Sequence, residues 1–177
     1  MQKSKIRTMT NVAMMTALSV ALERLLPLVN TDTMRVSLGN VPIIITSIFF
    51  GPVSGILCGL ISDIIGCFFS GYPPFPVLML APLTAGLLPG ISARIFRTNP
   101  KHNISGILVL SGTMTITNIL ASVIITTIGL NMLFGTPITL LLSQRIPTFA
   151  LNTIIEIAVL YLLLKNGLLY KLFGIQK

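Results

Sequence analysis

Residues 41–70 read VPIIITSIFFGPVSGILCGLISDIIGCFFS, and the fold turns on whether this apolar stretch is one helix or two. Gly51-Pro52 stands in its middle. Proline removes an intrahelical hydrogen bond and clashes with the preceding turn, so the pair favours a break between 41–50 and 53–70. Charge placement decides the matter. Three basic clusters stand out: Lys3/Lys5/Arg7, Arg94/Arg97/Lys101 and Lys165/Lys171/Lys177. With the break the chain has six spans, near 9–28, 41–50, 53–70, 76–96, 104–130 and 147–170, and all three clusters fall on one side. Without it there are five, and at least one cluster lands opposite. Lys and Arg accumulate in cytoplasmic loops, so six spans with both termini cytoplasmic is the consistent reading. The 41–50 segment is short for a full crossing unless it is tilted or sheltered by its neighbours.

Composition supports a lipid-solvated chain. Of 177 residues, 53% are hydrophobic and 9% charged, against roughly 25% charged in an average soluble domain. A span consumes about 20 apolar residues, so residues 1–177 form a single transmembrane domain with no room for a soluble one. The net charge of +8 sits at the ends of apolar runs and not in a basic stripe with interleaved aromatics, which argues against nucleic acid. The basic N-terminus followed by an apolar run superficially matches a signal peptide, but the run reaches Pro27 without an Ala-x-Ala site and further spans follow. Cys58 and Cys67 lie inside apolar segments with no metal-ligand spacing around them, and they read as small hydrophobes.

On this topology the outer side holds connections 29–40, 71–75 and 131–146. The first carries Asn30, Asp32, Arg35, Ser37, Gly39 and Asn40, and the second is Gly71-Tyr72-Pro73-Pro74-Phe75. Nine of the twelve basic residues belong to the inner clusters; Arg24, Arg35 and Arg145 map to the outer end against the orientation bias. Arginine presents a planar fork suited to carboxylate or phosphate, so an anionic ligand is one account of them. Arg24 adjoins Glu23 and also reads as a paired or interfacial residue. Arg145 opens the expected last helix, and Arg145, Phe149, Asn152 and Glu156 follow at helical spacing along one face. Polar groups within a span are functional candidates, although Asn is also an interhelical glue. Asp63 in the third span either meets a ligand or bridges helices. Phe68, Tyr72 and Phe75 suit the walls of a flat ring, or serve as interfacial anchors. Ala13, Ala17 and Ala21 recur at every fourth position, a stripe that lets another helix approach closely, within the bundle or from a partner chain.

Catalytic signatures are missing. There is no Walker loop and no Gly-x-Ser-x-Gly elbow, and the single His102 lies in the inner loop remote from any acid–serine pair. Too few polar residues line the spans for a wet pore. A membrane enzyme or a channel is thereby disfavoured, and no cofactor or metal is expected.

The segments Met34-Arg35-Val36-Ser37-Leu38-Gly39, Val41-Pro42-Ile43, Phe50-Gly51-Pro52 and Ser62-Asp63-Ile64-Ile65-Gly66 resemble the substrate-binding (S) components of energy-coupling-factor vitamin transporters, most closely the folate-specific family. The resemblance covers nearly the whole chain, and both the alanine stripe and Arg145-Ile146 fit it. It implies an all-α integral membrane protein of the cell membrane: six transmembrane helices with an outward-facing ligand pocket. It further implies high-affinity vitamin capture, with a transmembrane coupling subunit docked on Ala13, Ala17 and Ala21 and two cytoplasmic ATPase subunits supplying energy. Another vitamin or precursor handled by the same family is the alternative. Folate has a flat pterin with hydrogen-bonding edges and a glutamate tail with two carboxylates. Aromatic walls, an amide or acid for the ring and arginines for the tail suit it. The candidate ligand residues are therefore Arg35, Asp63, Tyr72, Phe75, Arg145, Asn152 and Glu156.

Overall fold

A computed structural model of the chain describes residues 2–25, 29–30, 35–70, 75–95 and 104–165. Apolar runs bounded by Gly and Pro become helices: α1 (Gln2–Arg24), α2 (Asn40–Phe50), α3 (Pro52–Ser70) and α4 (Pro76–Ile95). A composite rod follows, made of α5 (Ile104–Asn118), a π-helical segment (Ile119–Ile125) and α6 (Thr126–Phe134), and α7 (Ile138–Lys165) closes the bundle. Between α1 and α2 lies a two-residue antiparallel ribbon, β1 (Val29–Asn30) and β2 (Arg35–Val36), with Asn30 opposite Arg35. The six-helix all-α architecture expected from the Gly51-Pro52 break is the one observed.

Among the described residues, four rods are long and apolar enough to cross a bilayer: 52–69, 76–95, 108–133 and 138–163. Their outward faces are oily. On α3, Val53, Leu57, Ile61, Ile64 and Phe68 are exposed at helical spacing, an apolar stripe that suits contact with lipid. Phe68, considered above for a ligand wall, is on this outer stripe with 78% of its surface exposed.

The short α2 is sheltered. Val41 through Ser47 are all buried. Val41, Ile44 and Ile45 pack with Leu110 and Met114 of α5 and Leu160 of α7 to form the core. At about 1.5 Å rise per residue its 11 residues cover about 16 Å, roughly half of a ~30 Å hydrocarbon core. Neighbouring helices shield α2 from lipid, so its length is no obstacle.

The break itself is built as the sequence requires. Gly51 has φ +97°, a conformation that favours glycine, and its N–H donates to the Ser47 carbonyl at 3.0 Å. A Cβ there would lie 2.6 Å from the Arg94 Nη2. The guanidinium at the end of α4 thus sits over the α2–α3 break, which puts a residue of the middle basic cluster and the break at the same end of the bundle. Deeper in, α3 and α4 approach through small residues: a Cβ on Gly86 would run into the Gly55 carbonyl, and the Ser47 hydroxyl donates to the Gly86 carbonyl.

One expectation is corrected. The connection placed at 131–146 shrinks to residues 135–137, because α7 begins at Ile138 and carries Pro147 in its interior. Membrane helices tolerate an internal proline where neighbours re-satisfy the freed backbone groups. The true turn is at Gly135, φ +65°, whose N–H returns to the Asn131 carbonyl at 2.9 Å. The Asn131 amide ties the turn from the other side by donating to the Thr136 carbonyl at 2.8 Å. At the other end of the chain, α1 starts at Gln2 and stops at Arg24, earlier on both counts than the expected 9–28.

Candidate functional site

A cavity of about 260 Å³ lies among α1, α2, α3, α4 and the composite rod. Its polar lining is Glu23, Asn40, Ser62, Asp63, Asn118, Ser122 and Thr126; Ile43, Leu78, Pro82 and Ala85 are among the apolar remainder. The balance is unusual for a span interior, with two carboxylates and two carboxamides in one chamber. Asp63 Oδ2 is buried and has no hydrogen-bond partner among the described residues. Glu23 forms an ion pair with Arg24, at 3.8 Å, as their adjacency suggested.

The segment that enters α2 is drawn deep against α7. Asn152 Oδ1 accepts the Ser37 backbone N–H at 3.2 Å, and Ser19 of α1 donates its hydroxyl to the Gly39 carbonyl at 2.7 Å. One turn further along α7, Glu156 is wholly buried. Its Oε1 accepts from Asn40 Nδ2 at 3.0 Å and its Oε2 from Asn118 Nδ2 at 2.7 Å, while Asn118 Nδ2 also donates to Thr153 Oγ1 at 3.1 Å. Glu156 thus stands behind the cavity wall, joined to it through two amides.

The π-helical segment continues the wall from Asn118 with Ala121 and Ser122. The Ala121 carbonyl receives both the backbone N–H and the hydroxyl of Thr126, five residues on, the hydroxyl at 2.6 Å. Such widened turns occur frequently at functional sites because they re-aim side chains and free carbonyls. Here the Ser122 carbonyl takes a bond from Arg145 Nη1 at 3.3 Å, and Arg145 Nε is buried without a partner among the described residues.

The residues singled out from sequence are therefore distributed as follows. Asp63 lines the cavity directly, while Asn152 and Glu156 reach it through the 37–40 segment and Asn118. Arg145 leans on a lining residue from two turns inside α7, and so does not open that helix as expected. Arg35 has its backbone in the ribbon. Phe75 is half-buried at the head of α4, where its carbonyl accepts the Leu78 and Met79 N–H groups, and it is not among the lining residues. Tyr72 lies outside the described residues. Ala13 and Ala17 are exposed on α1, and Ala21 is half-buried beside them. Sequence reasoning missed Asn118, and it weighed Asn40 only as a turn former and Glu23 only as a partner for Arg24. Asn118 had a readable signal: a lone amide in the apolar run 104–130 meets the same criterion that selected Asn152.

A multi-span membrane protein with a polar ligand chamber is thus the class that fold and site define. The profile of the ECF-type riboflavin transporter S component matches residues 3–169, and the chain belongs to that family. The folate transporter FolT of Clostridium novyi (strain NT) is 26% identical over 158 residues, 89% of this chain and 87% of that protein. Two solved structures share the fold. FolT bound with folic acid superposes with a TM-score of 0.74 at 18% identity, covering 95% of this chain and 97% of that one. ThiT from Listeria monocytogenes gives 0.72 at 20% identity, covering 96% and 98%.

Proposed function

We propose that this S component captures folate from outside the cell and delivers it to an ATP-driven uptake complex. The observation that carries the ligand assignment is the Asp63 carboxylate, which lines the cavity and whose Oδ2 has no hydrogen-bond partner among the described residues. A pterin offers adjacent N–H donors on its amino-pyrimidine edge, the natural partner for such a carboxylate. The similarity to FolT of Clostridium novyi supports the same ligand. Arg145 and Arg35 are the cations proposed for the glutamate carboxylates, with Tyr72 and Phe75 proposed as aromatic contacts for the flat ring. The chain binds and does not catalyse. It resides in the cell membrane with both termini cytoplasmic, and the placement of Arg94 over Gly51 supports that parity. A transmembrane coupling subunit docks on the Ala13, Ala17 and Ala21 face, and two ATPases supply the energy.

Riboflavin is the second reading, favoured by the description of the matching family profile. Mass spectrometry of the small molecule that co-purifies with the chain, followed by calorimetric titration with folic acid, riboflavin and thiamine, separates the two. Folic acid binding at least a hundredfold tighter than the others is the expected result. Tighter binding of riboflavin would overturn the folate assignment.

A further inference from the structure

Glu156 presents a puzzle of chemistry. A carboxylate wholly buried in a span costs several kcal/mol unless its oxygens are satisfied. Both are: Oε1 by Asn40 Nδ2 at 3.0 Å and Oε2 by Asn118 Nδ2 at 2.7 Å. A carboxylate only accepts hydrogen bonds, so each amide must turn its NH2 end toward it. Asn118 is doubly fixed, because Nδ2 spends a second hydrogen on Thr153 Oγ1 at 3.1 Å. Both asparagines also line the cavity. Nδ2 of each amide is turned toward Glu156, Asn118 with both hydrogens spent and Asn40 with one, so the carbonyl ends are what face away from the carboxylate. Asp63, whose Oδ2 is buried without a partner among the described residues, lines the same cavity.

We infer that Glu156 is a positioning residue that locks Asn40 and Asn118 with their carbonyl oxygens toward the cavity, making that wall an acceptor cradle selective for a ligand edge built of N–H donors. This rests on the folate reading and deepens it by naming which chemical feature of the ligand is read and what sets the polarity of the reader. Specificity in this scheme resides in the orientation of the amides more than in their presence. An amide free to rotate would satisfy a donor or an acceptor equally, whereas one pinned by a buried carboxylate rejects an acceptor by leaving two lone pairs face to face.

Glu156→Gln inverts the polarity at one position. Glutamine ends in one acceptor and one donor, so only one amide keeps its NH2 toward it. Asn118 is held additionally by Thr153, so Asn40 is the one that rotates and turns its NH2 into the chamber. The probes are folic acid and 2-deamino-2-hydroxyfolic acid, in which an oxo acceptor replaces the 2-amino donor, the ring nitrogen N1 gains a hydrogen, and the glutamate tail is unchanged. Binding of both is titrated calorimetrically to the purified full chain, wild type and Glu156→Gln. The wild type is expected to prefer the amino compound strongly, and Glu156→Gln to shrink that preference at least about tenfold, the effect of one hydrogen bond exchanged for a mismatch. A purely structural Glu156 would weaken both ligands by one factor. Should Glu156→Gln fail to yield folded protein, Asn40→Ala removes the amide while leaving the carboxylate bonded to Asn118, and the preference must again fall. An unchanged preference in the folded variant overturns the cradle while the folate reading stands. A wild type that binds neither compound overturns the folate reading and the cradle together.

Discussion

Arginine 145 offers the sharpest test of how an anionic tail is held. Its guanidinium is half-buried in α7 and makes one long bond, Nη1 to the Ser122 carbonyl at 3.3 Å, with Nε unpartnered among the described residues. Among those residues the one ion pair is Arg24–Glu23, so no carboxylate there neutralises Arg145. Most of its donors therefore remain for an incoming carboxylate. Along α7 it stands about 10 Å from the level of Asn152 and about 16 Å from that of Glu156, a separation that suits a ligand with a deep ring and a tail nearer the loops. A charge-assisted hydrogen bond is worth about 1.5–3 kcal/mol, so Arg145→Ala should weaken folate roughly ten- to a hundredfold. Losing the Ser122 contact costs the fold less than an ideal bond would, since at 3.3 Å it lies beyond the usual N–H···O range. Lysine should rescue only partly, because it lacks the planar fork. Titration calorimetry on detergent-solubilised protein would compare folic acid with pteroic acid, which lacks the glutamate. A tail-binding arginine matters much less for pteroic acid. If Arg145→Ala weakens both ligands by the same factor, the arginine serves the ring or the wall and the tail assignment is wrong.

Two further outcomes follow from the packing and a third from the charge parity. Ala17 is exposed on α1, so Ala17→Trp should abolish uptake and co-purification of the coupling subunit while leaving folate affinity within about twofold, since small residues serve close helix approach; equal loss of binding and assembly would refute the docking role. Gly86→Ala forces a methyl into the Gly55 carbonyl and should destabilise the solubilised protein by about 1–3 kcal/mol, read as an earlier thermal transition; an unshifted transition would contradict the α3–α4 contact. Lys101→Cys, in a chain with Cys58 and Cys67 replaced by alanine, should resist an impermeant thiol reagent in intact cells and react after lysis, whereas labelling from outside would end the six-span topology.

The helix count was legible because its decisive feature, Gly51-Pro52, is local: a proline and a glycine cannot continue a helix whatever surrounds them. Charge parity was the argument that extended that local fact to the whole chain, and in the structure Arg94 at the end of α4 lies over the Gly51 break. The start of α7 was not legible. Gly135, Thr136 and Pro137, then Ser143, Gln144, Arg145 and Pro147, together look like one long loop. Only tertiary packing makes the second group helical, since a membrane interior punishes open backbone more than it punishes an internal proline. The π-helical turn was equally silent, because a bond shifted from four residues back to five leaves no mark in composition.

The site shows where such reading ends and why. Asp63, Asn152 and Glu156 stood out as polar groups inside spans, but only Asp63 lines the cavity, and Asn152 and Glu156 connect to it through partners far away in the chain. Asn40 and Glu156 are 116 positions apart, and Ser37 and Asn152 are 115. Those bonds exist because the ribbon segment descends into the bundle to mid-depth on α7 before α2 begins. From the level of Asn40 to the Gly51 break, α2 covers about 16 Å, roughly half of a hydrocarbon core. The shortness of α2, which looked like a weakness of the six-span assignment, and the depth at which Asn40 meets Glu156 are therefore one fact. A full-length second helix would carry Asn40 to the surface, leave one oxygen of Glu156 unsatisfied in the interior, and remove one of the two amides from the chamber wall.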